Sequence, residues 1–123
     1  MFNNSKEILR IDGLKMRYPN SNHWVLDGFK LEIGIGERIA LIGSSGCGKS
    51  TLAKVLLDLL PPESLCEGNI FLEGKSLRGL DKAVIQQMRG NSIGLVFQDP
   101  MTRLNPLMTV GDHLLDTLDA GEK

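Results

Sequence analysis

The residues whose spacing suggests chemistry are Gly43, Ser44, Ser45, Gly46, Cys47, Gly48, Lys49, Ser50 and Thr51, written "GSSGCGKST". They satisfy G-x-x-x-x-G-K-[ST], a pattern in which each residue type answers a need of phosphate binding. Glycines let backbone N–H groups turn inward around an anion, with dihedrals and close approaches that a Cβ would block. The N–H groups that follow open a helix, whose positive dipole end favours the same anion. Lys49 supplies a mobile positive charge for the terminal phosphates, and the Ser50 hydroxyl can ligate magnesium. The pattern implies a nucleoside triphosphate. Cys47 sits near a helix N-terminus, where a thiol pKa can fall, but its simpler role is a small residue at a variable loop position.

Such a loop works only between a strand and a helix, and the flanking sequence offers both. "RIALIG", residues 38–43, is a short apolar run bounded by glycines, which predicts a strand buried on both faces. After the loop, Leu52, Val55, Leu56 and Leu59 recur at i, i+3, i+4 and i+7, predicting an amphipathic helix over 49–60 that Pro61-Pro62 ends. Upstream, residues 8–18 predict a strand with a bulge or kink at Gly13, and "PNSNH" a surface turn. Phe29, Leu31, Ile33 and Ile35 alternate with Lys30, Glu32 and Gly34, the pattern of a half-buried strand. "GNIFLEGKSL" predicts two short strands around a Glu73-Gly74 turn. Asp81 can cap a helix carrying Val84, Ile85 and Met88 that stops at Gly90. "SIGLVFQ" predicts another buried strand, "DPMTRLNP" a proline-bounded loop, and Thr109 the cap of a last helix through Leu118. The expected fold class is α/β: a P-loop NTPase core with an incomplete parallel sheet, a mostly antiparallel β layer, and the start of a helical subdomain.

Composition narrows the partners. The chain has 123 residues, with 14 Lys and Arg against 15 Asp and Glu and a formal net charge of −1. Basic residues are scattered, so no electrostatic footprint for nucleic acid or an anionic membrane is present. No apolar run approaches the ~20 residues of a membrane span, and the N-terminal residues lack a secretory pattern, so the expected location is cytoplasmic. The two cysteines, Cys47 and Cys66, lie in unlike contexts and are expected to be reduced thiols. His23 and His113 are expected at the surface, and no cysteine or histidine spacing suggests a metal site.

Beyond the phosphate loop, "VFQDP" at 96–100 resembles the Q-loop of ABC transporter ATP-binding subunits, and "EGNIFLEGKSL" and "MRGNSIG" stand at family-like positions between the two. "MTRLNPLMTVGDHL", residues 101–114, resembles the group that drives uptake of dipeptides, oligopeptides and nickel, although Arg103 stands where that group often has serine. The resemblance covers nearly all of the chain. It implies ATP and Mg2+ as cofactors, held by residues 43–51, with Lys49 and Gln98 as catalytic residues and Ser50 and Gln98 toward the metal. Gln98 also closes a predicted buried strand, the sheet edge where α/β folds bind ligands. Tyr18 matches the family aromatic that stacks on adenine. Its distance from Lys49 is slightly long, as a short insertion in "NSNHW" would make it, and Trp24 is the rival ring. The implied organisation is a P-loop core over about 1–98, followed by the Q-loop and the start of a helical subdomain over about 98–123. The implied partners are a second ATP-binding subunit and transmembrane permease subunits, which would hold the protein at the inner face of the membrane.

Hydrolysis in this family also uses an apolar strand ending in Asp-Glu, an "LSGGQ"-like signature and a switch histidine, none of which the sequence contains. Asp58 follows apolar residues but belongs to the predicted helix, where a solvated carboxylate is expected. The resemblance therefore implies the N-terminal half of the domain, with sheet edges left uncovered and a tendency to associate. Two alternatives stay open: a nucleotide-binding chain that does not turn ATP over, and another P-loop phosphotransferase. The latter lacks a guanine-reading Asn-Lys-x-Asp motif and an arginine-rich lid.

Overall fold

The computed structural model describes residues 7–121. Along the chain run β1 (Glu7–Arg17), β2 (Leu26–Gly34), α1 (Lys49–Leu56), β3 (Leu65–Leu72), β4 (Lys75–Ser76), α2 (Lys82–Asn91), a 3-10 turn (Pro100–Arg103) and α3 (Val110–Gly121). They form two compact units, divided between Ile85 and Gln86 within α2.

The first unit is built on a four-stranded antiparallel sheet ordered β2-β1-β3-β4. β1 is its centre, and its side-chain pattern changes phase partway along. Leu9 and Ile11 are buried, and beyond Gly13 the buried positions become Leu14 and Met16. A strand alternates faces every residue, so only an inserted residue can keep both pairs on one face. Gly13 is that residue: its φ is +63°, and the pairing with β2 and with β3 slips across it. Opposite the bulge lies Gly68, where a Cβ would stand 2.5 Å from the Gly13 carbonyl oxygen. The kink expected at Gly13 is therefore a bulge that keeps Leu9, Ile11, Leu14 and Met16 in one core with Leu26, Ile70, Leu72, Leu52 and Leu57.

The other face of the sheet is charged. Lys15 pairs with Asp27 at 2.9 Å and Lys30 with Asp12 at 3.2 Å, exposed contacts of the kind that orient strands more than they stabilise them. Phe29, Leu31 and Ile33 are half-buried as their alternation predicts, but Ile35 lies beyond the strand and is exposed. The hairpin at Glu73-Gly74 forms as expected, with both turn residues at positive φ and Leu72 opposite Lys75.

α1 ends earlier than the apolar spacing predicts. Asp58 adopts a left-handed conformation at φ +50°. The Asp58 N–H then reaches the Val55 carbonyl at 3.1 Å and the Leu59 N–H the Lys54 carbonyl at 2.8 Å. This is a Schellman closure, which satisfies the last helical carbonyls and turns the chain away. In consequence Leu57 is buried at 6% exposure while the expected Leu59 is 43% exposed.

The two strands predicted at "RIALIG" and "SIGLVFQ" are not formed. Residues 38–43 and 94–97 have no ladder partner among the described residues, and Ile93 makes only an isolated bridge to Arg89. Their apolar side chains lie at the surface, with Ile42 at 94% and Val96 at 90% exposure. Apolar sequence records a preference for burial, whereas a strand exists only where another strand completes its hydrogen bonds. In the second unit, Thr109 and Asp112 cap α3 reciprocally. The Asp112 carboxylate accepts the Thr109 N–H at 3.0 Å, and the Thr109 hydroxyl accepts the Asp112 N–H at 3.2 Å. No described helix is long and apolar enough to cross a membrane.

Candidate functional site

The loop from Gly43 to Gly48 leads directly into α1. Gly46 and Gly48 hold φ values of +83° and +101°, conformations that side chains with a Cβ rarely adopt. A tight turn, Cys47 N–H to the Ser44 carbonyl at 3.3 Å, curls the loop on itself. At Gly43 a Cβ would fall 2.5 Å from the Cys47 sulfur, so the Cys47 side chain already fills the space that a side chain at 43 would need.

The Lys49 ammonium lies inside this curl. It donates to the Gly43 carbonyl at 2.6 Å and the Ser44 carbonyl at 2.8 Å, and stands 3.4 Å from the Cys47 Sγ. Looping back over its own turn, the lysine holds its positive charge against the Gly43 and Ser44 carbonyls, beside the start of α1. The helix starts on Gly48, which provides no side-chain cap, so the first-turn N–H groups have no side-chain acceptor. An exposed loop of glycines, a cation and uncapped helical amides suits a chain of phosphates. Ser50, in the first turn, is exposed, as a metal-ligating hydroxyl must be.

Gly48 also fixes where the loop sits. A Cβ there would stand 2.9 Å from the Leu26 Cδ2 and 3.1 Å from the Val25 carbonyl oxygen. The helix start thus rests on Val25 and Leu26, where the chain enters β2. Thr51 is buried, and its Oγ1 shares a 3.1 Å hydrogen bond with the Tyr18 hydroxyl.

The two aromatic candidates separate by face. Continuing the alternation of Leu14 and Met16, Tyr18 reaches the side of the sheet where α1 begins. Trp24 lies among the charged side chains instead, with the Arg17 guanidinium 5.2 Å and the Lys15 ammonium 5.6 Å from its ring. Gln98 belongs to the second unit and is exposed just before Asp99. In the same unit the Arg103 guanidinium stacks 4.4 Å from the Phe97 ring, and the His113 Nε2 contacts the Asn105 carbonyl at 3.2 Å. His23 is exposed. The thiols of Cys47 and Cys66 are free, and partial burial pushes the Cys66 thiol above its ordinary range. The hydrogen bond between Tyr18 and Thr51 and the seating of Gly48 on Val25 had no signal in the sequence, since both join residues far apart along the chain.

The antiparallel layer and the glycine loop opening a helix define an incomplete nucleotide-binding domain of the P-loop class. Residues 26–123 match the ABC transporter family, and the chain belongs to it. It is 42% identical over 117 residues to the dipeptide transport ATP-binding protein DppD of Bacillus subtilis, covering 92% of this chain and 35% of that protein. Against the oligopeptide transport ATP-binding protein OppD of the same organism it is 41% identical over 98 residues, covering 78% of this chain and 27% of that protein. The fold is also similar to a bacterial Atm1-family ABC exporter with ATP bound, at TM-score 0.54 and 26% identity, over 71% of this chain and 14% of that one. The chain spans about a third of the length of these curated relatives.

Proposed function

We propose that this chain is the N-terminal, nucleotide-gripping part of an ATP-binding subunit that couples ATP to uptake of peptides. The observation that carries the reading is the Lys49 ammonium held within a glycine loop whose helix start is left uncapped. The backbone N–H groups of residues 43–51 surround the phosphates of ATP, Lys49 neutralises the terminal ones, and the Ser50 hydroxyl faces the metal. Mg2+, when bound, shields phosphate charge and aligns the terminal phosphoryl group for attack. Tyr18 presents its ring to the base. The family resemblance would assign Gln98, which the expected division into a core over about 1–98 and a helical subdomain over about 98–123 puts at its boundary, to the metal and the attacking water. The peptide-transport names of the relatives support the substrate class, and they support working partners: a second ATP-binding subunit and permease subunits that hold the protein at the cytoplasmic face of a membrane.

These 123 residues contain no Asp-Glu strand end, so on their own they are expected to bind Mg-ATP without turning it over. Equilibrium binding and steady-state phosphate release, each compared with Lys49→Ala, test both parts. A Lys49→Ala affinity at least about tenfold weaker is expected, since hydrogen bonds to charged groups contribute about 1.5–3 kcal/mol. Equal affinity in the variant would overturn the phosphate-loop reading, and Lys49-dependent turnover would overturn the claim of an incomplete site.

A further inference from the structure

We propose that Tyr18 is a positioning residue of the phosphate loop, acting through its hydroxyl as well as its ring. This rests on the reading of residues 43–51 as a nucleotide site. Thr51 is 7% exposed, and its hydroxyl meets that of half-buried Tyr18 at 3.1 Å. Water has little access to Thr51, so the partner that satisfies its hydroxyl also fixes where the helix sits. Successive residues on a helix are turned by about 100°, so holding Thr51 against the hairpin sets the direction of Ser50 and sends Lys49 about 200° round, to the far side. The hydrogen bond is thus an azimuthal stop for the two residues offered to phosphate and metal.

A second support lies one turn away. Gly48 abuts the Val25 carbonyl, and the Val25 N–H donates to the Met16 carbonyl at 2.8 Å. Tyr18 and Val25 are the two ends of one connection, the chain leaving β1 and entering β2. The start of α1 is therefore gripped from both ends of that connection, one by backbone contact and one by a hydroxyl pair. The ring that meets the base and the helix that meets the phosphates become a single rigid piece, so a base held by Tyr18 is held in register with the loop.

The test uses the full chain and its Tyr18→Phe, Thr51→Val, Thr51→Ser and Tyr18→Phe/Thr51→Val variants. Each is measured for affinity to Mg-ATP and to magnesium tripolyphosphate, which has no base. Phe keeps the ring, so a ring that only stacks predicts no change with either ligand. The positioning role predicts that Tyr18→Phe and Thr51→Val each weaken tripolyphosphate and ATP alike, by about fivefold, that the double variant is no worse than the weaker single, and that Thr51→Ser restores affinity. Unchanged tripolyphosphate affinity in Tyr18→Phe, or additive losses in the double variant, overturns the inference. Amide hydrogen exchange at Leu52, whose N–H donates to the Gly48 carbonyl at 2.9 Å, measured without ligand separates it from the reading beneath it. If the wild-type chain binds neither ligand, the nucleotide reading fails; faster exchange in Tyr18→Phe then still supports the tie, and unchanged exchange overturns it.

Discussion

Gly48 offers a sharp measure of how firmly the phosphate loop is seated, when Gly48→Ala is compared with Gly46→Ala. Both glycines have positive φ, +101° and +83°, so alanine at either place carries the left-handed penalty of about 1–2 kcal/mol. Restricting the unfolded chain returns about 0.4–1 kcal/mol in each case. What differs is space. Around Gly46 nothing lies within 4 Å of an added Cβ, whereas at Gly48 it meets the Leu26 Cδ2 at 2.9 Å and the Val25 carbonyl at 3.1 Å. The leucine methyl can swing aside, but the carbonyl belongs to backbone already bonded to Met16, so the helix start must lift. Overpacking of this kind costs about 1–3 kcal/mol, which places Gly46→Ala about 0–1.6 kcal/mol and Gly48→Ala about 1–4.6 kcal/mol below wild type. Against a total stability of about 5–15 kcal/mol, the second is easily resolved by urea titration. Trp24, the single tryptophan, reports on the sheet, and far-UV circular dichroism reports on the helices. The seating argument fails if Gly48→Ala is no less stable than Gly46→Ala.

Two further outcomes follow from groups whose protonation the fold biases. Hydrogen bonds from the Thr109 hydroxyl and N–H hold the Asp112 carboxyl below the ordinary carboxylate range. A carboxyl depressed in the folded state contributes stability above its unfolded pKa of about 3.9 and loses it as pH falls through the lower folded value. Acid titration of helicity should therefore show a loss below about pH 4 that Asp112→Asn lacks, the variant being less helical at neutral pH; identical acid profiles would contradict the cap. Among the thiols, exposed Cys47 should be alkylated at neutral pH well before Cys66, whose burial raises its pKa and restricts access. Peptide mass spectrometry over a time course reads the order directly, and prior labelling of Cys66 would count against the packing around β3.

The features legible in the sequence are those whose cause is local. An Asp-Gly inside an apolar run gave away the Gly13 irregularity, Glu73-Gly74 the tight hairpin, and Thr109 the start of α3, because each conformation is decided within a few residues. The phosphate loop is legible for the same reason. Residues 38–43 and 94–97 were misread as buried strands because their apolar character states what they would bury against, without naming the partner that must bring hydrogen bonds. The end of α1 was misread for a subtler cause. Leu59 fits the helical spacing of Leu52, Val55 and Leu56 and Leu57 does not, yet the left-handed Asp58, which no spacing rule singles out, ends the helix so that Leu57 is buried and Leu59 exposed.

The hydroxyl pair shows how a local feature reaches the site. β1 carries Leu9 and Ile11 inward at odd positions, then Leu14 and Met16 at even ones, because Gly13 adds a residue to one side of two ladders. Tyr18 inherits the even phase. Without the bulge it would lie on the face where Lys15, Arg17 and Trp24 now meet, and its hydroxyl could not reach Thr51. The bulge in turn depends on Gly68, the position across the sheet where a Cβ would collide with the Gly13 carbonyl. Two glycines far from the phosphate loop thus choose which aromatic ring stands beside it, and the direction of Lys49 follows from their register.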